Sequence, residues 1–337
     1  MSGLNSLQSL LAPQPTLLGA LSPQSASNAL AALGAPALPA PHRWIAVRQR
    51  FEQFHRNLAL TPLQNADGHS KRGSVVSCLN RAYYGTNSET DNSFFVGSWA
   101  KDTAIRPPRD VDLYFRLPDA VFFRFHGYTG NRQSALLQEV KTTLAVTYPN
   151  TNIRGDGPVV LVNFGSYCVE VVPAFAFTTH RHYWICDTKN GGSYKETAPW
   201  DEVDYLEAAD SANARNLRPL IRMLKAWQAW CSVPIKSFHL ELLASEFIAQ
   251  SPWRLNSFFY FDWITRDFFA FLYNRANGVI SVPGTFETIY LGDAWQSRVL
   301  TAYQRAVKAC DHEYNNQIAD AGDEWQKIFG TDIPRTA

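Results

Sequence analysis

Several things are scarce or missing in this chain, and each absence excludes something. Cysteine is the first: Cys78, Cys168, Cys186, Cys231 and Cys310 are odd in number, widely scattered and never in a Cys-x-x-Cys spacing. Neither a zinc site nor a disulfide framework is expected, and reduced thiols in a cytoplasmic protein are the default. Charge is sparse too, at 18% of residues with a formal net charge of +1. Such a balance argues against a protein that coats nucleic acid through a strongly basic surface, while leaving room for a local basic groove. No run of about 18 apolar residues occurs, so no membrane span is expected. The nearest approach, WRLNSFFYFDWITRDFFAFLY over 253–273, is broken by Arg254, Asp262, Arg266 and Asp267. It reads as the core of a helical domain rather than a lipid anchor or a base-stacking platform. No basic segment of a secretion signal precedes the first arginine, Arg43. There is no Gly-x-x-x-x-Gly-Lys-Ser/Thr loop and no G-x-S-x-G elbow, which excludes a P-loop NTPase and disfavours an α/β-hydrolase.

What is present is enough for two globular domains with real cores: 337 residues, 46% of them hydrophobic. Residues 1–41 carry no charged side chain and six prolines (Pro13, Pro15, Pro23, Pro36, Pro39 and Pro41), so they read as a mobile Ala/Pro/Ser-rich extension with a short helix over 27–33. A long helix follows, with Trp44, Val47, Phe51, Phe54 and Leu58 as its stripe. Thr61-Pro62 ends it, a polar loop covers 65–72, and a second helix runs over 75–84. A helix is expected over 131–146, with strands over 159–164, 167–175 and 183–186, then a polar Gly-containing loop, DTKNGGSYKETAPW. Beyond about residue 205 the patterns are almost all helical. The organisation is therefore an α/β domain over 42–205 that includes the long first helix, a helical domain over 206–330 and an exposed tail over 331–337.

One stretch poses a chemical problem. In VGSWAKDTAIRPPRDVDLYFRL, residues from Asp110 onward alternate as a strand does, so Asp110 and Asp112 share a face. Two carboxylates that close repel unless a cation lies between them. A hard, oxygen-seeking ion such as Mg²⁺ meets that need, and Gly97-Ser98 upstream suits a tight turn offering N–H groups and a hydroxyl to an anion. A plain solvated strand edge is the competing account. In YCVEVVPAF, Glu170 is the sole charge of an apolar strand; it is either a strand-end acid meeting an arginine or water, or a third ligand beside the other two. Three carboxylates on adjacent strands can hold two Mg²⁺ about 3.5–4 Å apart. In NARNLRPLIRMLKAWQAW, Arg218, Arg222 and Lys225 flank an apolar arc, with no acid on the helix to pair with them. Lys225, at the border of that arc, is placed to reach a triphosphate as a point charge. In IKSFHLELLASEF, Ser237 reads as an N-cap whose hydroxyl also faces phosphate. His180 and His182 are read as structural rather than as metal ligands.

Together, Gly97-Ser98, the DVD of Asp110 to Asp112, the lone acid of VEVVPAF, LRPLIRMLKAW and IKSFHLE resemble the polymerase-β-type nucleotidyltransferases. More narrowly they resemble the cGAS/DncV-like nucleotidyltransferases (CD-NTases) of bacterial CBASS anti-phage defence, a layout shared with oligoadenylate synthases. The resemblance runs from about Trp44 onward. It implies an α+β fold: a polymerase-β-like domain, a mixed sheet with helices, followed by a helical domain of the oligoadenylate-synthase type. It implies catalytic, metal-holding roles for Asp110, Asp112 and Glu170 with two Mg²⁺ (or Mn²⁺). It implies nucleotide binding by Gly97, Ser98, Lys225 and Ser237. The expected reaction joins ATP or other ribonucleoside triphosphates into a cyclic di- or trinucleotide, a second messenger for a downstream effector. Linear oligonucleotide synthesis, adenylylation of RNA or protein, and an inactive nucleotide-binding module remain the alternatives. An RNA activator and an E1/E2-like ligase acting at Ala337 are further partners the resemblance brings in. One departure is Glu170, where many relatives have Asp; the extra methylene moves the carboxylate by about 1.5 Å.

Overall fold

The computed structural model describes residues 44–108, 110–177 and 181–337. The 1–41 extension, its short helix over 27–33 and His180 lie outside these residues. The chain divides into two units. One holds residues 58–208 with 281–289; the other holds residues up to 57 with 209–280 and 290–337.

The first apolar stripe forms α1 (Ile45–Leu58), with Val47, Phe51, Phe54 and Leu58 buried. Its aromatic partners are Phe261, Trp325 and Phe329. These rings place α1 in the helical unit, not in the α/β domain to which sequence order assigned it. The polar stretch over 65–72 is also not a loop, because α2 runs unbroken over Pro62–Tyr84. The reason lies at its start. Gln64 N–H donates to Thr61 Oγ1 at 3.2 Å and Thr61 N–H donates to Gln64 Oε1 at 3.0 Å. Pro62 occupies the first turn, where its missing N–H costs nothing. So Thr61-Pro62 opens a helix as well as closing one.

The α/β unit is built on a seven-stranded mixed sheet. In chain order its elements are β1 (Ser93–Phe95), α3 (Gly97–Ala100), β2 (Asp110–Arg116), α4 (Asp119–His126), α5 (Arg132–Thr147), β3 (Asn152–Asp156), β4 (Val159–Asn163), β5 (Cys168–Ala176), β6 (Tyr183–Asp187), β7 (Ser193–Thr197) and α6 (Pro199–Ala212). Strand order is β1-β2-β5-β4-β3, and β6 pairs with β5 and β7. The β2–β5 pair is parallel and the others are antiparallel. The sequence pattern missed β1, α4, β3 and β7. β3 (NIRGD) and β7 (SYKET) are edge strands made largely of exposed polar residues, so no apolar alternation marks them.

One face of the sheet is apolar. Val111, Leu113, Phe115, Val160, Val162, Val169 and Val171 pack with Leu79 of α2 and Leu136, Val140 and Leu144 of α5. The alternate residues point the other way. There Tyr114, Val172, Ala174, Tyr183 and Ile185 form a smaller cluster with Phe94 and Trp200. The remainder of that face carries Asp110, Asp112 and Glu170.

The helical unit continues with α7 (Leu217–Trp230), α8 (Ser237–Gln250), α9 (Phe261–Tyr273), α10 (Gln296–Tyr314) and α11 (Ile318–Phe329); between α9 and α10 in chain order comes a short hairpin, β8 (Val279–Ser281) and β9 (Thr288–Tyr290), whose residues 281–289 belong to the α/β unit. Trp227, Phe268, Phe269, Trp295 and Trp325 fill its core. The aromatic stretch over 253–273 is core as expected, and no helix among the described residues is long and apolar enough to cross a membrane.

The C-terminal stretch differs from the loose tail that its composition predicts. Arg50 of α1, fully buried, donates Nε to Glu313 Oε1 at 2.9 Å and its remaining N–H groups to the carbonyls of Ile318, Pro334 and Arg335. Ile333 is buried, and Arg335 forks onto Asp323. Only Thr336 and Ala337 extend past these anchors. Removing one member of a buried charge pair strands the other in a dry site, at a cost of about 3–5 kcal/mol. Arg50→Ala is therefore expected to lower the urea midpoint steeply and to open the 331–337 segment to carboxypeptidase. Arg48→Ala, which breaks a half-exposed pair with Glu52 and a guanidinium contact over the Phe259 ring, is expected to change stability by about 1 kcal/mol. Similar unfolding curves for the two variants would refute this assignment.

Candidate active site

The parallel pairing of β2 with β5 sets Asp110 opposite Cys168 and Asp112 opposite Glu170. Laterally paired residues project from the same face of a sheet. The register therefore brings Asp110, Asp112 and Glu170 together, with one oxygen of each within 4.8 Å of the others. All three are half-buried. The lone acid of the apolar strand β5 thus meets two more acids. Burial, foremost, and then the Asp110 charge push the Glu170 carboxyl above its ordinary range, while a hydrogen bond with Asp112 pulls it back. This is the only such cluster of potential ligands among the described residues. Its donors are all carboxylate oxygens, which fits hard divalent cations and not zinc or copper. A cation between them would offset the Asp110 repulsion that adds to the effect of burial on Glu170.

The turn before α3 is shaped by this cluster. Val96 N–H donates to Asp112 O at 3.0 Å, which ties the turn to β2. Gly97 follows with φ +55°, and a Cβ there would lie 2.3 Å from Asp112 Oδ2. Both the left-handed backbone and the lack of space therefore require glycine. The Ser98 hydroxyl makes no hydrogen bond among the described residues. Behind the turn, Trp99 Nε1 donates to Asp110 O at 2.8 Å, and buried Lys101 reaches Glu202 at 2.8 Å. Gly68 of α2 accommodates Trp99, since a Cβ there would come within 2.3 Å of the indole. Trp99, Lys101 and Gly68 carry no motif, so sequence reasoning did not single them out.

Lys225 and Ser237 belong to the helical unit. Lys225 is buried on α7, with Nζ 2.6 Å from Glu241 Oε1 of α8, itself buried. The IKSFHLE motif thus supplies an acid as well as a serine. Ser237 does not cap: it is the first residue of α8, and Lys236 holds the cap position without a side-chain bond. Pro219 lies in the first turn of α7, where a missing N–H costs nothing. The basic stripe on α7 is not unopposed, since Arg218 pairs with Asp210 of α6 at 2.6 Å. His182 binds Glu196 at 2.6 Å and faces Asp201 at 3.4 Å. Cys168, beside the acids, has its thiol pushed up to about 11 by burial and then by Glu170 and Asp110. It stays protonated at neutral pH and is no nucleophile.

Residues 45–210 match a family described as a Second Messenger Oligonucleotide or Dinucleotide Synthetase domain. No curated protein matches the chain. Among solved structures, the chain is similar to Escherichia coli MS115-1 CdnC with ATP: 19% identity, TM-score 0.59, covering 85% of this chain and 98% of that one. It is also similar to Bradyrhizobium diazoefficiens CD-NTase CdnG in complex with GTP, at 12% identity and TM-score 0.62 over 86% and 96% of the two chains. A third is Vibrio cholerae DncV, a cyclic AMP-GMP synthase, in complex with the linear intermediate 5′ pppA(3′,5′)pG; here identity is 13% and TM-score 0.59 over 93% and 92%.

The raised Glu170 carboxyl has a stability consequence. Its ionised form is disfavoured in the folded state, so it destabilises the metal-free protein at neutral pH, and the effect vanishes once the group is protonated in both states, below about pH 4. Glu170→Gln should therefore raise the melting temperature in EDTA at pH 7, with the gain shrinking as pH falls toward 4. A gain independent of pH, or a loss at pH 7, would contradict the placement of Glu170.

Proposed function

We propose that the chain is a cGAS/DncV-like nucleotidyltransferase that joins ribonucleoside triphosphates, through a linear intermediate, into a cyclic di- or trinucleotide. The carrying observation is the cluster of Asp110, Asp112 and Glu170. In each round a ribose hydroxyl oxygen of the acceptor forms a bond to the α-phosphorus of the donor. The bond from that phosphorus to the bridging β-oxygen breaks, pyrophosphate leaves with the bonding electron pair, and the hydroxyl proton passes to solvent water. In the last round the acceptor hydroxyl and the donor triphosphate belong to one linear molecule, and the ring closes.

Asp110 and Asp112 would hold two Mg²⁺, or Mn²⁺, and Glu170 would complete the site on the acceptor side. When bound, such ions lower the pKa of the attacking hydroxyl and stabilise the leaving oxygen. Glutamate in place of the commoner aspartate fits, because the β2–β5 register sets it directly opposite Asp112 and its carboxylate already meets the other two. Gly97 leaves room for the donor phosphates to approach the backbone, and Ser98 offers its free hydroxyl to them. Lys225 and Ser237 would bind the β- and γ-phosphates, with Glu241 holding the Lys225 ammonium in place. The product would serve as a second messenger for an effector in anti-phage signalling in the cytoplasm. RNA is the activator class in this reading.

Purified protein with Mg²⁺ and the four ribonucleoside triphosphates is expected to release pyrophosphate and form a phosphatase-resistant product. Mass spectrometry of that product fixes base identity and ring size together. EDTA should stop the reaction, and Asp112→Asn should abolish it while weakening Mn²⁺ binding measured by electron paramagnetic resonance. Equal activity of wild type and Asp112→Asn would end this reading.

A further inference from the structure

The face that carries the acids does not stop at β5. Register continues across the sheet: Asp112 is opposite Glu170, Glu170 opposite Leu161, and Leu161 opposite Arg154. These four side chains form one row over β2, β5, β4 and β3. A second row runs from Asp110 through Cys168 and Asn163 to Asn152. Alternation along β3 agrees, since Ile153 packs into the apolar core and so turns Asn152, Arg154 and Asp156 to the acid face.

Arg154 is exposed, and its guanidinium makes no hydrogen bond or ion pair among the described residues. The other cations that pairing puts on this face are engaged: Arg116 with Asn92, and Lys195 with Glu287. Charged residues on edge strands commonly block pairing with other chains. That role accounts for a charge on β3, but not for an unpaired arginine in line with Asp112 and Glu170.

We propose that Arg154 forms a subsite for the 5′-phosphates of the acceptor nucleotide. The inference rests on the synthase reading above and deepens it. In-line displacement sets the attacking oxygen opposite the leaving group. With pyrophosphate leaving toward Gly97 and Ser98, next to β1, the acceptor lies over β5, β4 and β3. Strands are about 4.8 Å apart, so Arg154 stands about 10 Å from Glu170. That spacing lets an acceptor lie between them, its ribose hydroxyl at Glu170 and its own 5′-phosphates at the arginine. A guanidinium grips phosphate through two parallel N–H groups, which a lysine cannot reproduce. The same contact would hold the 5′-triphosphate of a linear intermediate between rounds. Arg154 is thus a substrate-positioning group for acceptors, and the donor does not use it.

The test separates acceptor from donor chemically. An α,β-methylene ribonucleoside triphosphate accepts but cannot donate; a 2′,3′-dideoxyribonucleoside triphosphate donates but cannot accept. With the two mixed, a single bond forms, and each can be titrated independently for the four bases in turn. Arg154→Ala is expected to raise KM for the methylene analogue about tenfold or more, to leave KM for the dideoxy analogue within about twofold, and to release more linear intermediate in full reactions; Arg154→Lys should recover only part. Calorimetric titration of the methylene analogue, with the dideoxy analogue saturating and Ca²⁺ replacing Mg²⁺, reads the subsite without turnover. If wild type binds the analogue but makes no product, the synthase reading fails while the subsite is still judged by the binding difference between wild type and variant. Equal acceptor binding in both, no acceptor binding by wild type, or equal losses for donor and acceptor overturns the subsite.

Discussion

Three carboxylates held within a few ångströms on one half-buried sheet face are an electrostatic conflict that the fold maintains. Glu170 registers it directly, its carboxyl displaced upward by burial and by Asp110. A sheet selected for stability alone would place a cation or an apolar residue at 170, in line with its neighbours Val169 and Val171. The surroundings hold the conflict in place. Trp99 pins the backbone of Asp110, Val96 pins that of Asp112, and the Lys101–Glu202 pair secures the chain just after the turn. Strained or crowded arrangements that persist because their surroundings over-determine them are where function is to be sought.

The helical unit treats charge in the opposite way. Its buried cations are matched: Arg50 by Glu313 and three carbonyls, and Lys225 by Glu241. Such pairs add little net stability over well-packed apolar residues, but they fix geometry, because losing one member is costly. Arg50 uses that property to anchor the chain end. Lys225 uses it to hold an ammonium where an unopposed lysine would be free to swing. A matched pair positions a charge, whereas carboxylates gathered on one face offer several oxygens to a single cation.

The legible part of the sequence was whatever carries period and contrast. β2, β4, β5 and β6 announce themselves by alternation or by apolar runs, and the acids stand out because the strands around them are otherwise apolar. The expected site residues Gly97, Ser98, Asp110, Asp112 and Glu170 fall together in the α/β unit, because a strand pattern fixes which residues share a face, and the DVD spacing alone fixes two of them. Parallel pairing of β2 with β5, which brings in the third, depends on non-local contacts that no local pattern reveals. Edge strands β3 and β7 were missed because exposed strands need no alternation. The start of α2 was missed because a capping box followed by proline looks, at the level of residue type, like a terminator. Glu241 was overlooked because it sits inside a helical apolar pattern, where an acid reads as surface until its partner on α7 is seen.

The two faces of the sheet explain why so much of the site was readable and its outer part was not. On the core face every position must be apolar, so sequence constrains it strongly. On the acid face the demand changes along the row: carboxylates at β2 and β5, a leucine at β4, an arginine at β3. That succession is a gradient from negative to positive across four strands, and it follows the charge pattern of the proposed bound state. Divalent cations at the acids would be balanced by phosphates, and phosphates lying farther along the row would need a cation from the protein. Within this reading, a row that begins in carboxylates and ends in a free guanidinium is complementary to metal, ribose and phosphate in that order. The low net charge of the chain is then no argument against a polyanionic substrate, because the compensating charge is placed locally and in sequence along one row rather than spread over the surface.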